Sequence, residues 1–188
     1  GGSFGITGSY SFYPTKNLGA IGDAGAIVTN NSEIADFAKK LRNYGQSERY
    51  VHPEIGMNSR LDEIQASILQ AKLKWLEIFT IRRQEIAKSY NKKIRNEKIR
   101  LLAPGNDKSH VYHLYVVNCD TRDDLQEYLL KNKISANLHY PVSMNSQNSL
   151  KNIRTDPEGL ANSKDHAKTC ISLPCHPQML EDDVNYVI

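Results

Sequence analysis

The sequence predicts an α/β fold in two parts. Short runs rich in β-branched and aromatic residues, bounded by Gly, Pro and Asn, recur along the chain as strands do. Between them lie stretches with apolar residues three and four apart, the spacing that gathers them on one face of a helix. A break in character around residues 76–80 separates strands and one helix from a later strand–helix–strand set. One unit is therefore expected over residues 1–78 and a second α/β unit over 79–188.

Residues 6–13 (ITGSYSFY) alternate weakly and read as a strand, and residues 25–29 (GAIVT) read as another. Ser32 reads as an N-cap with Glu33 favourable in the first turn. Ile34, Phe37, Ala38 and Leu41 then form the apolar face of a helix ending near Gly45. Residues 45–58, polar and holding Pro53 and Gly56, read as a long loop of the kind that is often functional. Ser59 is expected to cap the next helix, whose stripe (Leu61, Ile64, Ile68, Ala71, Trp75, Ile78) is a packing face by default. No Gly or Pro lies between Gly56 and Pro104, so helix should run into the mid-nineties on Ala87, Tyr90 and Ile94, after a kink or short turn at residues 77–81.

Pro104–Asp107 marks a loop and Val111–Val117 a strand. Thr121 with Asp124 forms a capping-box pattern ahead of Leu125, Tyr128 and Leu129. Ile134–Leu138 reads as a short strand, and residues 141–162, without periodicity, as mostly loop. Ser163–Cys170 is a helix candidate, Ile171–Pro174 a brief strand, and Glu181–Ile188 the start of a helix that the chain end cuts off.

At 188 residues, 39% hydrophobic and 24% charged, the chain is long enough for a sizeable core and ordinary for a soluble globular protein. No apolar run nears the roughly 20 residues of a membrane helix, and GGSFGITGSYSF has no basic signal-peptide region, so no membrane partner is expected. Three cysteines (Cys119, Cys170, Cys175) are too few for a disulfide framework and point to a reducing cytoplasm. The net charge of +3 is uneven: Lys72–Arg100 holds ten Lys/Arg against three Glu, leaving −4 elsewhere. That stretch reads first as the solvated face of a long helix, with a nucleic acid or a nucleotide diphosphate as the rival explanation. No nucleic-acid partner is expected.

The chemistry concentrates in SFYPTKNLGAIGDAG, from Ser11 to Gly25. A lysine just past a strand end, among small and polar residues, is placed to react with an aldehyde; an exposed loop lysine is the plain alternative. Further motifs follow: LRNYG at 41–45, GMNSRLDEIQASIL at 56–69, VYHLYVV at 111–117, LHYPV at 138–142 and ISLP at 171–174. In this order they resemble the DegT/DnrJ/EryC1/StrS family of sugar aminotransferases, fold-type-I enzymes that use pyridoxal 5'-phosphate.

The resemblance implies that residues 1–78 are the C-terminal part of a cofactor-binding large domain and residues 79–188 the small C-terminal domain. It implies a portion of a longer enzyme, weakly active or inactive alone. Lys16 becomes the catalytic amine that holds the cofactor aldehyde and later moves a proton, and Ser11 a phosphate ligand. Asn58 becomes the side chain that reaches the phosphate of the neighbouring subunit's cofactor, so loop 45–58 would cross a homodimer interface and the active site would be shared. Tyr13, His139 and Tyr140 fall where the family meets its nucleotide-linked sugar. The family's carboxylate for the pyridine nitrogen and its ring-stacking aromatic lie upstream of the serine–lysine motif, and no residue here takes those roles.

GDAGAI and LHYP are most similar to members that aminate C3 of a dTDP-3-keto-6-deoxyhexose, with glutamate as donor, in deoxyamino-sugar and surface-polysaccharide biosynthesis. C4 amination is one alternative, and a non-catalytic, cofactor-binding regulatory member another. Plainer readings stand beside each residue. Ser11 is also a strand-end serine, Asn58 a helix cap, His139 a strand-end histidine, and Arg60 a surface helix residue. Cys170, Cys175 and His176 lack the second ligand pair of a zinc site, so no metal is expected. Gly19, Gly22 and Gly25 are too loosely spaced for a dinucleotide fingerprint.

Overall fold

The computed structural model describes residues 2, 4–103, 109–150, 153–154 and 156–188, and the loop expected at Pro104–Asp107 lies outside them. The chain divides into two compact units, Gly1–Glu77 and Ile78–Ile188.

In the first unit, β1 (Thr7–Ser11) and β2 (Gly25–Thr29) pair antiparallel, from Thr7 opposite Thr29 to Ser11 opposite Gly25. At the exit of β2, the Thr29 hydroxyl donates to the Ile6 carbonyl (2.7 Å) and accepts the Asn31 N–H (3.1 Å). Helix α1 (Ser32–Leu41) is capped one residue earlier than expected: Asn31, in extended backbone, accepts the Ile34 N–H at 3.2 Å. Glu33 in the first turn and Lys39 and Lys40 in the last suit the helix dipole. The stripe on α1 is only partly covered: Ile34, Ala38 and Leu41 are half-buried, Phe37 is 47% exposed, and no residue of the helix is fully buried.

Helix α2 (Glu63–Leu73) starts after Asp62, not after Ser59. The backbone of Ser59 is committed elsewhere: its N–H reaches the Arg42 carbonyl at 2.9 Å, while the Met57 N–H reaches Leu41 at 2.8 Å. Those bonds occupy the last carbonyls of α1 and keep residues 57–59 extended. The expected packing face on α2 is also corrected. Only Leu69, off that stripe, is buried, whereas Ile64 and Trp75 are 64% and 55% exposed. The break before α3 (Leu76–Lys93) falls at Lys74 and Trp75, slightly ahead of the expected turn.

The second unit is built on a three-stranded antiparallel sheet, β3 (Arg100–Leu101), β4 (Tyr115–Asn118) and β5 (Cys170–Leu173), in that order. Val117 sits opposite both Leu101 and Ile171. The expected stripe packs: Ala87 and Tyr90 of α3 and Ile94 just past its end, joined by Ile86, lie with Tyr115, Val117, Ile171 and Leu173 in one buried cluster. Burying each Ile-sized side chain contributes about 1.5–3 kcal/mol. Leu129 from α4 (Arg122–Lys131) and Val184 from α6 (Glu181–Val187) close it.

Several boundaries differ from expectation for local reasons. The strand expected at 111–117 begins only at Tyr115, because Tyr112 has a φ of 42° and leaves the extended path. Residues 134–138 form no strand; Asn137 makes one bridge to Ser172, with the Ser172 N–H donating to the Asn137 carbonyl at 2.8 Å. Thr121 precedes α4 but makes no capping bond, its hydroxyl lying 3.7 Å from the Cys119 sulfur instead. Helix α5 (Ala161–Thr169) begins two residues before Ser163, and β3 is too short to show a pattern in sequence. Among the described residues, no helix is long and apolar enough to cross a membrane.

Candidate active site

Thirteen residues join the paired strands β1 and β2, and Lys16 lies in this connection. One further bond, from the Phe12 N–H to the Ala24 carbonyl (2.8 Å), extends the ladder past Ser11 and Gly25. The chain then turns: the Lys16 N–H donates to the Tyr13 carbonyl at 2.8 Å across Pro14 and Thr15. Proline at the second position of such a turn has its φ already set, which explains why the chain reverses here. The return is tied by the Ala20 N–H to the Phe12 carbonyl (2.8 Å), and Ala20 is buried.

Gly19 is required by packing. A Cβ there would run into the Pro14 carbonyl and stand 2.9 Å from that of Tyr13. Lys16 therefore stands at the end of a closed turn with its side chain half-buried. Ser11 ends β1, and its hydroxyl accepts the Tyr13 N–H at 3.4 Å. Ser11, Tyr13 and Lys16 thus share one loop at one end of the ribbon.

Asn58 is placed by a different device. It bridges Asn43 across the two ends of loop 45–58, where the Tyr44 N–H also donates to the Met57 carbonyl at 2.9 Å. Tyr44 and Gly45 take left-handed φ values of 61° and 70°, and a Cβ on Gly45 would overlap the Glu54 carbonyl. The Asn58 carboxamide oxygen accepts from Arg60 Nε at 3.0 Å. Asn58 is not the cap of α2, since that position belongs to Asp62, and Arg60 precedes the helix instead of riding on it.

His139 and Tyr140 belong to the second unit. The His139 Nδ1 and the Ser172 hydroxyl lie 2.8 Å apart, and Tyr140 is exposed beside it, with the two rings edge to face at 5.4 Å. The Cys175 sulfur lies 4.0 Å from the Tyr112 carbonyl, and burial raises its pKa. Among the described residues, no three His, Cys, Asp or Glu side chains gather as a metal site.

Sequence reasoning missed Gln65 and Lys72, both on α2. Gln65 Oε1 accepts the Ile21 N–H at 3.0 Å, and Lys72 Nζ donates to the Gly19 carbonyl. Their separation of seven residues, which keeps two side chains on one helix face, was the available signal.

The model of the DegT/DnrJ/EryC1/StrS aminotransferase family matches residues 1–188. The chain belongs to this family. Within the family it is 41% identical over 187 residues to the dTDP-3-amino-3,6-dideoxy-alpha-D-galactopyranose transaminase of Aneurinibacillus thermoaerophilus, covering 100% of this chain and 51% of that protein. It is 34% identical over 190 residues to a pleiotropic regulatory protein of Geobacillus stearothermophilus, covering 100% and 51%. The S. venezuelae DesV crystal structure, in complex with a ketimine intermediate, superposes with a TM-score of 0.88 at 34% identity over 97% of this chain and 50% of that one. The chain spans about half the length of the curated relatives it matches.

Proposed function

We propose that this chain carries the lysine side of the cofactor site of a pyridoxal-phosphate aminotransferase acting on a nucleotide-linked keto-sugar. The observation that carries the reading is Lys16 at the end of a closed turn, with the Ser11 hydroxyl at the strand end five residues before it. The donor set fits two of the cofactor's needs: a primary amine for its aldehyde, and a hydroxyl with neighbouring N–H groups for its phosphate. Asn58 would add a carboxamide donor for the phosphate of a second subunit's cofactor, with loop 45–58 crossing a homodimer interface. Tyr13, His139 and Tyr140 would meet the sugar nucleotide. Residues 1–78 would be the C-terminal part of the cofactor domain and residues 79–188 the small domain.

Bound pyridoxal phosphate supplies an aldehyde that condenses with amines and a ring that accepts electrons. Lys16 Nζ would be the amine that holds that aldehyde, and, when released by an amino donor (glutamate in this reading), it would serve as the general base at the donor's Cα. The similarity to a dTDP-3-amino-sugar transaminase favours a dTDP-3-keto-6-deoxyhexose as acceptor. A second reading, a cofactor-binding regulatory protein, is favoured by the similarity to the pleiotropic regulatory protein. The deciding experiment adds pyridoxal phosphate to the whole protein and reduces it with borohydride. The cofactor mass should appear on the peptide holding Lys16 and vanish in Lys16→Ala; label retained in that variant sinks the proposal. Amino transfer from glutamate to a dTDP-keto-sugar then separates enzyme from regulator.

A further inference from the structure

We infer that Gln65, assisted by Lys72, is a positioning residue that sets the loop carrying Lys16, an inference that rests on the role proposed for that lysine. Past the ends of β1 and β2 the loop has no strand partner, so something else must fix it. Inside the loop, the bonds from Lys16 to Tyr13 and from Ala20 to Phe12 set its shape. Two ties from outside it come from α2. Gln65 Oε1 accepts the Ile21 N–H at 3.0 Å, 44 residues away, and Lys72 Nζ donates to the Gly19 carbonyl, 53 residues away.

The two bonds fall on the peptide units flanking Ala20, whose side chain is 2% exposed. One takes a donor and the other an acceptor, so the stretch is held against both sliding and rotation. The Gln65 carboxamide also covers Gly22, where a Cβ would stand 2.7 Å from its Nε2. Because the Ile21 N–H only donates, the oxygen of the carboxamide must face it. Gly19 in turn abuts the carbonyls of Tyr13 and Pro14, the turn that ends at Lys16. Position therefore passes from α2 to Gly19 and Ile21, then to Pro14, then to Lys16. A reacting amine must be held to fractions of an ångström, and supporting contacts of this kind supply that precision.

The test compares Gln65→Glu, which keeps the acceptor, with Gln65→Met, which keeps length and loses it, in the whole protein. Hydrogen exchange at the Ile21 amide reads the clamp directly, and titration with pyridoxal phosphate reads its consequence. In Gln65→Met, exchange should quicken and affinity should fall roughly fivefold, the scale of one lost hydrogen bond. Gln65→Glu should stay within about twofold of the parent on both. Unchanged exchange and affinity in Gln65→Met, or an equal loss in both variants, would overturn the inference. If Gln65→Met does not fold, Lys72→Met serves: weaker cofactor affinity supports the clamp and parental affinity refutes it. Covalent cofactor uptake persisting in Lys16→Ala defeats the lysine's role instead, while exchange at Ile21 still judges the clamp.

Discussion

Arg60 donates through Nε to the Asn58 carboxamide oxygen at 3.0 Å and stands over the Tyr44 ring, 5.5 Å from its centroid. Arginine has only donors, so this contact leaves the Asn58 NH₂ group directed away from the guanidinium. Arg60 Nη1 also reaches Asn43 Oδ1 at 3.5 Å, and Asn43 is the residue that bridges Asn58 through the backbone. The amide is presented as a donor, the sense an anionic oxygen requires.

Asn58→Asp keeps an acceptor for Arg60 and removes the donor. Affinity of the whole protein for pyridoxal phosphate should drop at least tenfold, about 1.4 kcal/mol, with little change in melting temperature. Absorbance titration and thermal melting measure the two. Parental affinity would remove Asn58 from the proposed phosphate role.

Arg83 is a buried cation of the second unit, and its Nη1 donates to the carbonyls of Tyr112 (3.1 Å), His113 (3.2 Å) and Cys175. Methionine in its place fills similar volume and leaves those carbonyls without that donor. Arg83→Met should cost about 3 kcal/mol of unfolding free energy, with Arg83→Lys recovering part of it. Urea unfolding followed by circular dichroism is the check, and a loss below about 1 kcal/mol would mean water replaces the guanidinium.

Alkaline pH should unfold the same unit. Burial pushes the Tyr115 phenol up from 10.0 to about 12 and raises Tyr90 as well. The fold thus keeps protons that the unfolded chain releases above about pH 10. The resulting stability is complete below that pH and is lost as pH climbs toward 12. The urea midpoint should fall through this window, less steeply in Tyr115→Phe. That variant should also start lower near neutrality, having lost the 2.6 Å bond from the Tyr115 hydroxyl to Asn91 Oδ1. A slope unchanged by the substitution would assign the effect elsewhere.

Local signals in the chain were readable where the cause is local. The GAIVT run, the Pro14 turn and the three- and four-residue spacing of Ala87, Tyr90 and Ile94 each depend on near neighbours, and each lies in the element it predicts except Ile94, one residue past the end of α3. Lys16 past a strand end was legible for the same reason.

By itself, then, the sequence determined that Lys16 sits in a glycine-bearing turn between two strands, and which family the chain resembles. Only the tertiary structure decided which stripes are buried. Those of α2 and α3 have the same spacing, yet Ile64 is exposed and Tyr90 is not, because burial depends on what else packs there. It also decided that α2 starts after Asp62 and not after Ser59, and that Gln65 and Lys72 bond to the loop of Lys16. Those bonds join residues more than forty positions apart, and periodicity within one element carries no information about such partners.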